Sequence, residues 1–108
     1  MIKSYNFTKK DEINSSSSTP VQNVKGEKVT LVGAAITSRP DLETGEEKEV
    51  GLLSTTEYGV LSTISPSAIK SLNLIIDYLE ETKEADVKIN INVGKSKGGR
   101  EFITLTID

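Results

Sequence analysis

The chain has 108 residues, 35 % of them hydrophobic and 27 % charged, with 13 basic and 16 acidic side chains and a net charge of −3. That length holds one domain, and the acidic balance excludes a surface that grips polyanions everywhere while leaving room for a local basic patch. Cysteine and histidine are both absent, which excludes disulfides, thiolate or imidazole zinc sites, and Ser–His or Cys–His nucleophiles.

No apolar run approaches the ~18–20 residues of a membrane span, and no signal-peptide pattern follows the N-terminus, so a soluble intracellular protein is expected. Residues 1–23 divide at Ser15-Ser16-Ser17-Ser18-Thr19-Pro20. Such a polar run buries too little surface to offset its chain entropy and reads as a flexible arm or linker. Ahead of it, Tyr5, Phe7 and Ile13 either anchor a short segment or ride on a mobile tail with Lys3, Lys9 and Lys10.

The ordered domain is expected over 24–108. Val29 to Thr37 is a β-rich run with Gly33 inside it, and an interior glycine marks a bulge or bend. Arg39 to Glu47 is a polar turn with Pro40 and Gly45 as punctuation. A second strand spans about 48–56, a tight connection falls at Glu57-Tyr58-Gly59, and a third strand follows over 60–64. Ser65-Pro66 places Ser at an N-cap and Pro at the first helical position. Ile69, Leu72, Ile76 and Leu79 then recur at helical spacing, predicting a helix to about Lys83.

The last third reads as a hairpin. Val87, Ile89, Ile91 and Val93 alternate with Lys88, Asn90 and Asn92. Ile103, Leu105 and Ile107 alternate with Phe102, Thr104 and Thr106. Between them lies Gly94-Lys95-Ser96-Lys97-Gly98-Gly99-Arg100, which carries three cations and no acid. The succession β-β-β-α-β-β predicts a mainly β fold with one helix. It matches an OB-fold-like, five-stranded, partly open barrel; the competing topologies are an α+β sandwich and a sheet with a helix across one face.

On the layout, on Leu61-Ser62-Thr63-Ile64-Ser65-Pro66-Ser67-Ala68 and on Lys95-Ser96-Lys97-Gly98-Gly99-Arg100-Glu101-Phe102, the chain resembles the small single-stranded DNA-binding proteins of bacteriophages and bacteria. The resemblance covers roughly residues 24–108. It implies a non-enzymatic protein that coats single strands during replication or recombination, in the cytoplasm, or in the host cytoplasm if phage-encoded. Two features differ from the better-known bacterial pattern: no acidic tail follows the last strand, and tryptophan is absent.

The residues point the same way. A basic flexible loop beside a polar strand face suits a polyanion. Lys95, Lys97 and Arg100 are read as phosphate contacts, and Phe102, with Tyr58, as a ring on which a base stacks at roughly 1–3 kcal/mol. Arg39 and Lys48 flank the first hairpin loop, which in an OB barrel borders the same cleft as the last hairpin loop. Gly94-Lys95-Ser96 is no phosphate-binding loop, because the required earlier glycine falls on Ile89 and a strand follows instead of a helix. Asp41, Glu43, Glu46 and Glu47 read as a solvated turn. No metal, cofactor or enzymatic activity is expected. RNA is not separated from DNA, and the oligomeric state is open. The alternative is a protein-interaction module, such as a complex subunit or a phage-encoded inhibitor, which the overall acidity favours.

Overall fold

The computed structural model describes residues 2–108. Strands β3 (Lys28–Pro40), β4 (Glu47–Thr55) and β5 (Gly59–Thr63) are followed by helix α2 (Pro66–Thr82) and the hairpin β6 (Val87–Lys95) and β7 (Glu101–Ile107). Ahead of them come β1 (Lys3–Tyr5), helix α1 (Lys9–Asn14), the two-residue β2 (Thr19–Pro20), and short 3₁₀ turns at 15–17 and 21–24. The molecule is mixed α/β, mostly strands with two helices. A sheet of six strands in the order β2-β5-β4-β3-β6-β7 curls into a half-barrel, and β1 pairs separately with β3.

β3 organises the sheet. One edge pairs with β4 from Leu31 to Pro40. The other edge is shared: Lys28 to Leu31 pair with β6, and Ala34 to Ile36 pair with β1. The register shifts between Leu31 and Gly33, so the interior glycine sits at a bulge. The bulge resets the alternation: Val29 and Leu31 point into the curl before it, Ala34 and Ile36 after it. An added Cβ at Gly33 would stand 2.9 Å from the Asn6 carbonyl carbon and nearer still to its oxygen, so only glycine lets the N-terminal segment cross here.

α2 lies in the concave face. Ala68, Ile69, Leu72, Ile75, Ile76 and Leu79 pack against Val29, Leu31, Leu53, Leu61, Ile89, Ile91, Ile103 and Leu105. Each of the large aliphatics contributes about 1.5–3 kcal/mol by leaving water. Pro66 occupies the first turn as expected, yet Ser65 makes no side-chain cap. Its hydroxyl meets that of Ser67 instead, and Ser67 Oγ donates to the Ile103 carbonyl on β7 at 2.8 Å.

The N-terminal segment, expected as a flexible arm, packs on the sheet over the described residues 2–23. β1 extends the β3 edge, Phe7 packs on the outer face of the sheet against Ala35, Val50, Leu52 and Val60, and β2 pairs in parallel with β5. Val21 and Val24, 2 % and 5 % exposed, then enter the central core. The segment is thus a strap that runs from one edge of β3 across the outside of the sheet to the free edge of β5. Thr8 starts α1 with a reciprocal cap: its hydroxyl accepts from Asp11 N–H, and the Asp11 carboxylate accepts from Thr8 N–H. Ser54 on β4 donates to the same carboxylate at 2.9 Å.

Candidate nucleic-acid interface

The terminal hairpin projects as a finger. β6 pairs with β3 only through Val87 to Asn90, and the backbone of Ile91 bonds to Gly26 and Glu27. Beyond that point β6 has β7 as its only strand partner, and the pairing continues to Lys95 opposite Glu101. At the turn Ser96 N–H donates to the Arg100 carbonyl and Gly99 N–H to the Ser96 carbonyl, both at 2.9 Å. Gly99 takes φ +79°, a left-handed conformation that glycine adopts without cost. An ion pair of 3.0 Å between Lys25 and Glu101 ties the finger to the body.

Lys95, Lys97 and Arg100 are all exposed. Among the described residues none of the three forms an ion pair with a carboxylate. Inward pointing of Ile103 and Leu105 turns Phe102 to the outer face, where it is 39 % exposed and its ring lies against Gly94. Asn90, Asn92, Thr104 and Thr106 share that face in paired register, and Asn92 Nδ2 donates to Thr106 Oγ1 at 3.0 Å. The finger therefore offers a polar surface with one aromatic ring and three cations that lack an acidic partner.

The same outer face carries cations that the sequence reading did not single out. Lys88 donates to Thr30 Oγ1 at 2.7 Å, and Thr30 in turn donates to Glu57 through both its N–H and its hydroxyl at 2.7 Å. Those two bonds, the backbone one first, hold the Glu57 carboxyl down at about 2. Lys28 pairs with Asp108 at 2.9 Å, which lowers the Asp108 carboxyl below its usual range. Alternation of Lys88 with Asn90 and Asn92 was the available signal for Lys88; its bond to Thr30 depends on the β3–β6 register, which no local pattern encodes.

Two of the remaining expected residues stand apart from the finger. Arg39 and Lys48 face each other across β3 and β4 at the far end of β3, because β6 runs away from that end. The loops β3–β4 and β6–β7 therefore lie at opposite ends of one strand. Lys48 is paired with Asp41 at 2.8 Å, which lowers the Asp41 carboxyl. Tyr58, in the β4–β5 turn, is 41 % exposed at the finger's end of β3. Its hydroxyl donates to Glu27 at 2.5 Å, and this bond to a carboxylate raises its pKa.

The protein-family models, curated proteins and solved structures compared with this chain include no match to it. The chemistry must therefore be read from the residues themselves. A cleft of about 470 Å³ lies between β4 and the start of α2, lined by Lys48, Glu49, Ile64, Pro66 and Ile69. Its titratable side chains are Lys48 and Glu49, and the rest of the lining is apolar. Among the described residues no cluster of three metal-ligating side chains occurs, and no helix is long and apolar enough to cross a membrane.

Proposed function

We propose that this chain is a non-enzymatic, sequence-tolerant single-stranded DNA-binding protein with an OB-like core, acting in replication or recombination in the cytoplasm of its cell or phage host. The finger carries this reading: three cations without acidic partners stand beside an exposed aromatic ring on an otherwise polar strand face. Phosphates meet Lys95, Lys97 and Arg100, while one base stacks on Phe102. The contacts assigned are to phosphates and to the face of a base, so the binding is tolerant of sequence.

The strand neighbours β5-β4-β3-β6-β7, with α2 between β5 and β6 in the chain, support the OB-like reading. β5 and β7 are not paired with each other, so the barrel is open on that side. OB modules commonly bind on the outer face of their second and third strands, here β4 and β5. In this chain Phe7 packs on that face. The strand is therefore assigned to the outer face of β6 and β7, which the strap leaves free.

Fluorescence anisotropy of labelled oligo-dT over a salt series tests the reading. Binding at low salt that weakens steadily as salt rises is expected. Absence of binding at low salt would reject it and leave the interaction-module reading in front. An oligo-U arm tells whether RNA is taken equally. The rival has its own support in Leu42, which is fully exposed at the tip of the acidic β3–β4 turn.

A further inference from the structure

Charge is unevenly distributed along β3: acids outnumber the cations Arg39 and Lys48 at one end, and the cations of the finger, unpaired among the described residues, stand at the other. At the C-terminal end of β3 the turn carries Asp41, Glu43 and Glu46, continued on β4 by Glu47 and Glu49. At the tip Leu42 is 101 % exposed, more than any other large apolar side chain described. The turn is held firmly. Asp41 accepts from Glu43 N–H at 2.8 Å through its carboxylate and from Gly45 N–H at 2.7 Å through its carbonyl, and its own N–H donates to the Glu46 carbonyl at 2.7 Å. Leu42 is thus presented outward by an ordered loop, with acids around it.

The finger is the complement. It leaves from the other end of β3 with Lys95, Lys97 and Arg100 exposed, and on its inward-turned side Val93 is 39 % exposed because the finger overshoots the core. Val93 pairs with the buried Ile103, so an apolar contact there would extend the core outward. Because the tip and the finger lie at opposite ends of β3, one copy cannot bring its own tip to its own finger.

We propose that the acidic tip of one copy docks on the finger of a second copy, with Leu42 against Val93 and with Glu43 and Glu46 facing Lys97 and Arg100. The contact joins two different surfaces. Each pair therefore keeps one free tip and one free finger, and association grows head-to-tail or closes into a ring. Two hairpin ends bury little area, so the contact belongs with weak, salt-sensitive interactions. The proposal needs only the two surfaces and does not depend on nucleic-acid binding.

Sedimentation velocity on the full chain, freed of nucleic acid, tests it. The mean mass is expected to rise with protein concentration at low salt and to return to that of the single chain at about 0.5 M salt, where charges are screened within a few ångströms. Glu43→Lys with Glu46→Lys gives a chain whose tip and finger are both basic. Lys97→Glu with Arg100→Glu gives one in which both are acidic. Each is expected to stay monomeric alone, and their equimolar mixture is expected to associate again, since each then supplies the other's missing surface. Leu42→Ser keeps the charges and is expected to weaken association roughly tenfold. Circular dichroism confirms that the variants fold. Wild-type protein that stays monomeric at low salt overturns the proposal. So does a mixture of folded variants no larger than either alone, or an oligomer that survives both charge reversals.

Discussion

The ring of Phe102 covers Gly94 across the terminal hairpin: a Cβ at position 94 would stand 2.5 Å from Phe102 Cζ. Bare backbone at 94 is what lets the ring rest on the strand with its other side open to solvent. Phe102→Ala is expected to weaken oligo-dT binding by roughly 1–3 kcal/mol without changing its salt slope. Gly94→Ala must push the ring aside and is expected to cost about 1–3 kcal/mol of stability, with a parallel loss of affinity. Anisotropy titrations and thermal melts separate the two effects. Unchanged affinity in Phe102→Ala would remove the ring from the interface.

Replacing Lys95, Lys97 and Arg100 together with alanine removes charge but little packing. Stability is expected to change by no more than about 0.5 kcal/mol per site. Each lost phosphate contact lowers the single-strand salt slope by about 0.7, so the triple variant is expected to bind far more weakly with a slope shallower by about 2. A plot of log affinity against log salt reads this directly. A slope equal to the wild type's would show that these cations meet no phosphates.

The strap is expected to matter for stability. Val21 is 2 % exposed within the central core, so Val21→Ala should cost about 1–3 kcal/mol. Deleting residues 1–22 removes that side chain, the β1 and β2 pairings and the Phe7 cover, and is expected to abolish or severely lower the cooperative transition in urea. A deletion variant that unfolds at the wild-type midpoint would mean the strap adds nothing.

Gly33→Ala places a methyl against the Asn6 backbone carbonyl, which cannot yield as a side chain can. The crossing of the strap over β3 is expected to come loose while α2 stays packed. Limited proteolysis should then cut within about residues 6–18 faster than in the wild type, with the remaining fragment resistant. Equal cutting rates would place the strap's hold elsewhere.

Glu57 supplies a pH dependence of definite sign. Its folded pKa of about 2 lies below the ordinary 4.5, so the folded state holds the proton less readily than the unfolded chain does. The stabilisation is fully present above 4.5 and is lost as pH falls through about 2. In Glu57→Gln that loss is expected to disappear: its melting temperature starts lower at neutral pH and falls less on acidification. Parallel declines in both proteins would show that the bonds to Thr30 carry no such weight.

The regular elements were legible because each carries a local signal: the 3-4 stripe from Ile69 to Leu79, Pro66 at the helix start, and strict alternation on both arms of the hairpin. The strap was not, because its contacts are single and aperiodic. Phe7 reaches one patch, and Val21 and Val24 stand alone among polar neighbours. Two signals were nevertheless present. Thr8 and Asp11 have the spacing of a reciprocal cap. On β4, Val50 and Leu52 are apolar on one face and Leu53 on the other, the mark of a strand covered on both sides, which the OB-like layout left without a second cover. For the candidate interface, the finger's charges and ring could be read directly. The separation of Arg39 and Lys48 from them could not, since it follows from which half of β3 pairs with β6.

The excess of acids in the turn after Pro40 and of cations on the finger at the other end of β3 gives the molecule an electric polarity along β3. A net charge of −3 would by itself slow approach to any polyanion. In the field of a polyanion a polar body also feels a torque, which turns the finger forward and the acidic turn away before any atom touches. Orientation is then settled during diffusion rather than by repeated collisions, and misdirected encounters are repelled. The rate of capture should in consequence respond to ionic strength more steeply than the net charge suggests, and with the opposite sign.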